Sequence, residues 1–362
     1  MKNLLTITIL FCLTFNLFGQ KDNKTEAYEI ASEAIKIMDS GDYKKSIEML
    51  NKSKELDKEN YIYPYEIGYA YILLKDYKSA IKTLKGVIKY KNLSPECYTL
   101  LGNAYDYNKQ PKKAIEIYNE GLITFPKSGR LYFELGIVQE VLKEYNNALS
   151  SWENGIAVTP TYPSNYHSAS IYYCSYTTEK IWGLMYGELF MNIERGSVKT
   201  SEISKLLYET YKAAITIESQ TEARVDFSKS MQMSIPKDGE EIKLPFEFPY
   251  ASMMLLATTS ELDKKELGIE SFNKIRTLFI TNWYENEQNI KYPNILFDWH
   301  KTLIELGYFE SYNYWLLMKG NQDEFDKWAS KNKLKYERFI EWFSENPLEI
   351  TNEINFHRLQ YN

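Results

Sequence analysis

The chain has 362 residues, 25% of them charged and 44% hydrophobic, a balance that supplies a sizeable core and argues against disorder. A formal net charge of −6 offers no basic field to gather phosphates, which argues against nucleic acid and anionic membrane surfaces as partners. Tyrosine is the unusual component, with 31 copies, and its apolar ring and polar tip serve helix packing and wet binding surfaces alike.

Residues 1–19 come first. Lys2 precedes an apolar run containing Leu4, Leu5, Ile7, Ile9, Leu10 and Phe11, and Leu17-Phe18-Gly19 leads into Lys21. This pattern predicts a secretory signal peptide cut near Gly19 or Gln20, hence an exported, periplasmic or secreted protein. The run is shorter than the ~20 residues of a spanning helix, so no integral span is expected after cleavage. Cys12 follows bulky Leu10 and Phe11, unlike a lipid-attachment cysteine. Cys97 and Cys174 remain, and two thiols make no disulfide framework.

From residue 27 the sequence repeats with a step of 34. Gly68, Gly102 and Gly136 form one track, with Ala34 a step earlier; Ala80, Ala114 and Ala148 form another, preceded by Ser46. Ile47, Ile81, Ile115 and Leu149 keep the same register, as do Leu50, Leu84, Tyr118 and Trp152, and Pro126 with Pro160. The sets Ile67, Tyr71 and Leu101, Tyr105 have the i, i+4 spacing of an apolar helical face. Gly41-Asp42-Tyr43 and Lys75-Asp76-Tyr77 mark turns. Glycine inside a helix costs ~1 kcal/mol against alanine, so a close helix contact is expected there, with the alanine track as the surface approached.

This pattern resembles the tetratricopeptide repeat, a helix–turn–helix unit, in four copies over 27–161. The resemblance implies a mostly α solenoid whose first helices line a concave groove. By register the groove residues are Tyr65, Tyr69, Ile72, Thr99, Asn103, Asp106, Tyr107, Arg130, Phe133, Ile137 and Glu140. The lysine and asparagine clamp with which some members grip a terminal carboxylate is not recognisable, since only Asn103 is present.

One step beyond Gly136 and Ala148 stand Ser170, which fits, and Trp182, which does not, so 162–220 reads as degenerate repeat-like helices at about 163–176, 179–194 and 201–218. Residues 221–249 read as a β-hairpin and linker. Val225, Phe227, Met231, Met233 and Ile235 alternate with polar residues, as do Ile242, Leu244, Phe246 and Phe248, about an Asp238-Gly239 turn, giving a hairpin over about 225–248. The region 250–362 reads as helical again, with helices near 250–260, 264–282, 294–306, 309–317, 322–331, 334–345 and 348–357.

No catalytic, cofactor or metal motif emerges. His167, His300 and His357 lie far apart, and Asp298 and His300, two apart on a helix, do not share a face. The expectation is a non-enzymatic scaffold or adaptor that holds a protein or peptide of the cell envelope in its groove through Tyr65, Tyr69, Asn103, Tyr107, Arg130 and Phe133 and their neighbours. The alternatives are a glycan-binding module using the groove aromatics, and an unrecognised enzyme in the carboxy-terminal half.

Overall fold

The computed structural model describes residues 22–228 and 244–361. The signal peptide expected over 1–19 lies outside the described residues. The described residues divide into two compact units, one ending at Phe125 and the other beginning at Pro126.

The first unit is three antiparallel helix pairs: α1 (Asn23–Asp39) with α2 (Tyr43–Leu56), α3 (Ile62–Leu73) with α4 (Tyr77–Val87), and α5 (Pro95–Tyr107) with α6 (Pro111–Thr124). Helix starts follow from local chemistry. The Asp42 and Asp76 carboxylates accept the backbone N–H groups of Lys45 and Ser79 at 3.1 Å, and Pro95 and Pro111 open α5 and α6 where no N–H is needed. The turn inside each pair places one residue in the left-handed region, at Gly41 (φ 94°), Lys75 (φ 61°) and Lys109 (φ 61°), with Lys143 (φ 63°) a step later in the second unit.

The repeat tracks are core. Ala80, Ala114 and Ala148 are sealed, as are Leu50, Leu84, Tyr118 and Trp152. One expectation changes. A Cβ on Gly68, Gly102 or Gly136 would lie 2.5 Å from Leu84, 2.1 Å from Tyr118 and 2.3 Å from Trp152. The glycines therefore accommodate the large side chains sixteen residues on, not the alanine track. A bulky knob on the second helix needs a hole on the first, and only a missing Cβ supplies one this deep.

The second unit begins with the fourth pair, α7 (Gly129–Val141) and α8 (Tyr145–Val158), followed by α9 (Pro163–Tyr176), α10 (Lys180–Ile193) and α11 (Val198–Ala214). Ser170 is buried at the glycine position. Trp182, where the earlier copies have alanine, faces Phe246 at 5.3 Å and Phe356 at 6.0 Å, and its indole N–H reaches Glu247 at 3.0 Å. The position that closes one repeat on its own pair is used here to receive the carboxy-terminal region.

After α11, β1 (Ile215–Ile217) pairs antiparallel with β2 (Ala223–Val225), Ile215 opposite Val225. This two-stranded sheet stands earlier in the chain than the hairpin expected over about 225–248. The Asp238-Gly239 turn with Met231, Met233, Ile235 and Ile242 lies outside the described residues, Val225 takes its partner from the other side, and Phe248 is in a helix. The actual strands are three residues long, too short for alternation to register.

The remaining helices are α12 (Glu247–Thr258), α13 (Ile269–Glu285), α14 (Gln288–Lys291), α15 (Ile295–Glu305), α16 (Phe309–Leu317), α17 (Gln322–Lys331) and α18 (Lys333–Glu345). No helix forms over 348–357. Thr351 takes the backbone N–H groups of Glu353 and Ile354 on its side-chain oxygen at 3.2 and 3.0 Å, a local turn that competes with helix. The tail then packs inward, with Phe356 fully buried and Tyr361 stacked on Phe246 at 4.8 Å. No described helix is long and apolar enough to cross a membrane.

Candidate functional site

In the first unit α1, α3 and α5 lie side by side. Their inner faces are packed: Tyr63, Ile67 and Ala70 of α3 and Cys97, Leu101, Ala104 and Tyr105 of α5 are buried. The outer face of the same helices carries Tyr65, Tyr69, Ile72, Asn103, Asp106 and Tyr107, brought together by the i, i+3, i+4 spacing. Tyr69 is 40% exposed, Tyr107 47% and Ile62, on the same stripe, 46%. Tyr65, Ile72, Asn103 and Asp106 are half-buried, whereas Thr99 is buried, its hydroxyl donating to the Pro95 carbonyl at 3.2 Å.

Two of these side chains are held in place. The Tyr118 hydroxyl donates to the Asn103 side-chain oxygen at 2.5 Å, linking the face to the ring that fills the Gly102 hole. The Tyr107 ring leans on Tyr77 at 5.7 Å. The face is thus partly preorganised.

The other four groove positions belong to the second unit. Arg130 is exposed and lies 3.9 Å from Glu134. Phe133 and Ile137 pack against the unit's hydrophobic core, Phe133 meeting Tyr162 edge-on at 6.0 Å while its carbonyl accepts the Trp152 indole N–H at 3.4 Å. Burial pushes the half-buried Glu140 carboxyl above the ordinary carboxylate range.

A buried polar cluster in this unit escapes a sequence reading. Glu188 of α10 takes Arg276 of α13 in a fork, at 3.0 and 2.6 Å, and His300 of α15 at 2.6 Å. The Tyr211 hydroxyl accepts from Arg276 at 3.0 Å, and Tyr312 accepts from the Asn192 amide at 2.7 Å. Burial would raise the Glu188 carboxyl, but Arg276 and then His300 outweigh it and hold it far below the usual range. Burial holds the His300 imidazole below its ordinary value, against the pull of Glu188.

The cavity beside this cluster is about 20 Å³, room for about one water and for no substrate. The arrangement joins three helices; it does not present chemistry to a ligand. A second network gathers Tyr173 (2.8 Å), Tyr186 (3.2 Å) and Arg358 (2.7 and 2.6 Å) around Glu153. The one signal in the sequence was a lone carboxylate inside the apolar run Leu184 to Met191. Among the described residues no group of three or more candidate ligands is placed to hold a metal ion. A larger cleft of about 480 Å³ lies between α9, α10 and α11, lined by Cys174, Thr177, Lys180, Leu206, Thr210 and Asp226, with the Lys180 ammonium engaged by the Cys174 carbonyl at 2.6 Å.

Residues 65–92 and 95–122 match the family model of the tetratricopeptide repeat. Tetratricopeptide repeat protein 8 of Caenorhabditis elegans is 30% identical over 101 residues, 28% of this chain and 20% of that protein. The BBSome complex member BBS4 of Bos taurus is 28% identical over 117 residues, 30% of this chain and 22% of that protein. The chain spans about a fifth of the length of these curated relatives. Among solved structures, pilF of Pseudomonas aeruginosa aligns over 53% of this chain and 86% of its own at 15% identity and a TM-score of 0.45. A protein of Thermus thermophilus described as a thermophilic TPR protein aligns over 50% and 98% at 13% identity and a TM-score of 0.41. The 34-residue step and the buried glycine, alanine and aromatic tracks agree with the family model over α3 to α6, so this stretch of the chain is built of tetratricopeptide repeats.

Proposed function

We propose that this protein is an exported interaction scaffold that binds a segment of a partner polypeptide of the cell envelope on the first-helix face of its amino-terminal repeats. The observation that carries the reading is the exposure of Tyr69, Tyr107 and Ile62 on adjacent helices whose opposite sides are sealed. Tyrosine in such a setting supplies large contact area at low entropic cost, and contiguous exposed apolar surface is uncommon unless used. Export rests on the apolar run and small-residue boundary of residues 1–19.

The test is affinity purification from an envelope fraction with the wild-type chain, Tyr69→Ala and Tyr107→Ala. Both variants are expected to lose the partner while melting at the wild-type temperature. Retention of the partner by both variants, or a large fall in melting temperature, would remove the face from consideration.

A further inference from the structure

We propose that the segment bound on this face is cationic, a stretch with lysine or arginine set among apolar side chains; the inference rests on the preceding reading of α3 and α5 as a docking face. Charge is sorted by helix in this part of the first unit. The only charged residue of α3 is Glu66, and those of α5 are Glu96 and Asp106; neither helix contains a lysine or arginine. By contrast α4 carries Lys78, Lys82 and Lys85 and no carboxylate, while α2 and α6 mix Lys44, Lys45, Lys52, Lys54, Lys112 and Lys113 with Glu48, Glu55, Glu116 and Glu120. Of the first helices α1 carries Lys24 and Lys36 beside its carboxylates, whereas α3 and α5 present only negative charge.

Glu66 is the central group. It lies three residues before Tyr69 and four after Ile62, on the side of α3 that bears the exposed stripe. It is half-buried, and burial, with the nearby Asp39 carboxylate adding to it, raises its pKa. Among the described residues Asp39, Glu66, Glu96 and Asp106 make no ion pair. Two neighbouring carboxylates with no cation between them repel, and a partner ammonium or guanidinium seated there would relieve the repulsion in a partly desolvated setting. The rings of Tyr65, Tyr69 and Tyr107 offer apolar contact for the stems of such side chains and π faces for their charges. An acidic or neutral segment gains nothing from Glu66 and would bury it uncompensated.

The experiment selects a random dodecapeptide phage library on the immobilised full chain, with Tyr69→Ala as the counter-selection. Enrichment of lysine and arginine among the Tyr69-dependent peptides is expected. A synthetic peptide from that pool should bind about fivefold more weakly to Glu66→Gln and to Asp106→Asn than to the wild type, and more weakly still as salt rises. Glu116→Gln, on α6, should leave its affinity unchanged. Tyr69-dependent peptides without cationic enrichment, or equal affinity for Glu66→Gln, Asp106→Asn and the wild type, would overturn the cationic assignment and leave the docking face standing. Failure to enrich any Tyr69-dependent peptide would overturn the docking face itself.

Discussion

Arg276→Met tests whether the Glu188 cluster is a structural joint. The substitution leaves a fully buried carboxylate, and breaking one side of a buried ion pair costs roughly 3–5 kcal/mol. His300, 2.6 Å from Glu188, can take up a proton and restore part of the loss, so about 3 kcal/mol is expected near pH 8. The pH dependence should change sign. In the wild type burial holds the His300 imidazole below its unfolded value, so the unfolded chain takes up this proton first and acidification below about pH 6.5 destabilises the fold. In Arg276→Met the imidazole faces a lone carboxylate and its pKa rises above the unfolded value. Its contribution is then complete below about pH 6.5 and is lost as pH rises through the folded value.

All seven tryptophans and all three histidines lie beyond Pro126, so urea unfolding followed by tryptophan fluorescence at pH 8.0 and 5.5 reports this unit alone. The double change Arg276→Met with Glu188→Leu removes both charges and should cost less than Arg276→Met by itself. A double variant less stable than the single one, or an Arg276→Met protein that weakens on acidification as the wild type does, would refute this account.

Other outcomes follow from the same geometry. Gly136→Ala should destabilise by about 1–2 kcal/mol by thermal melting, because the clash with the sealed Trp152 ring outweighs the ~1 kcal/mol helix gain; a neutral result would mean the ring can retreat. Lys109→Gly should stabilise by about 0.5 kcal/mol in chemical denaturation, since relief of the left-handed backbone exceeds glycine's entropic cost. Phe133→Ala should cost about 3 kcal/mol and Tyr69→Ala under about 0.5, a contrast that separates core from face in paired melting curves. Arg358→Ala strips the buried Glu153 of its cation while two tyrosine hydroxyls remain, and about 2–3 kcal/mol should be lost.

The repeat was legible because it is written in residue size. A step of 34 brings the same small and large positions back to the same packing environment, and local helix periodicity places them without any knowledge of distant contacts. The same logic put Tyr65, Tyr69, Asn103 and Tyr107 on one side of their helices. What the sequence left open were choices made between segments far apart in the chain. Which large side chain fills a glycine hole depends on how two helices approach, so Tyr118 and not Ala114 meets Gly102. Glu188, Arg276 and His300 are separated by 88 and 24 residues, and only the packing of α10, α13 and α15 turns three isolated polar residues into one sealed network. Glu66 was one acid among 49 until the fold set it, half-buried, near Asp39. Local pattern determines where helices form and which side of each is apolar; the low dielectric and fixed distances that give charges their meaning exist only after the chain has folded.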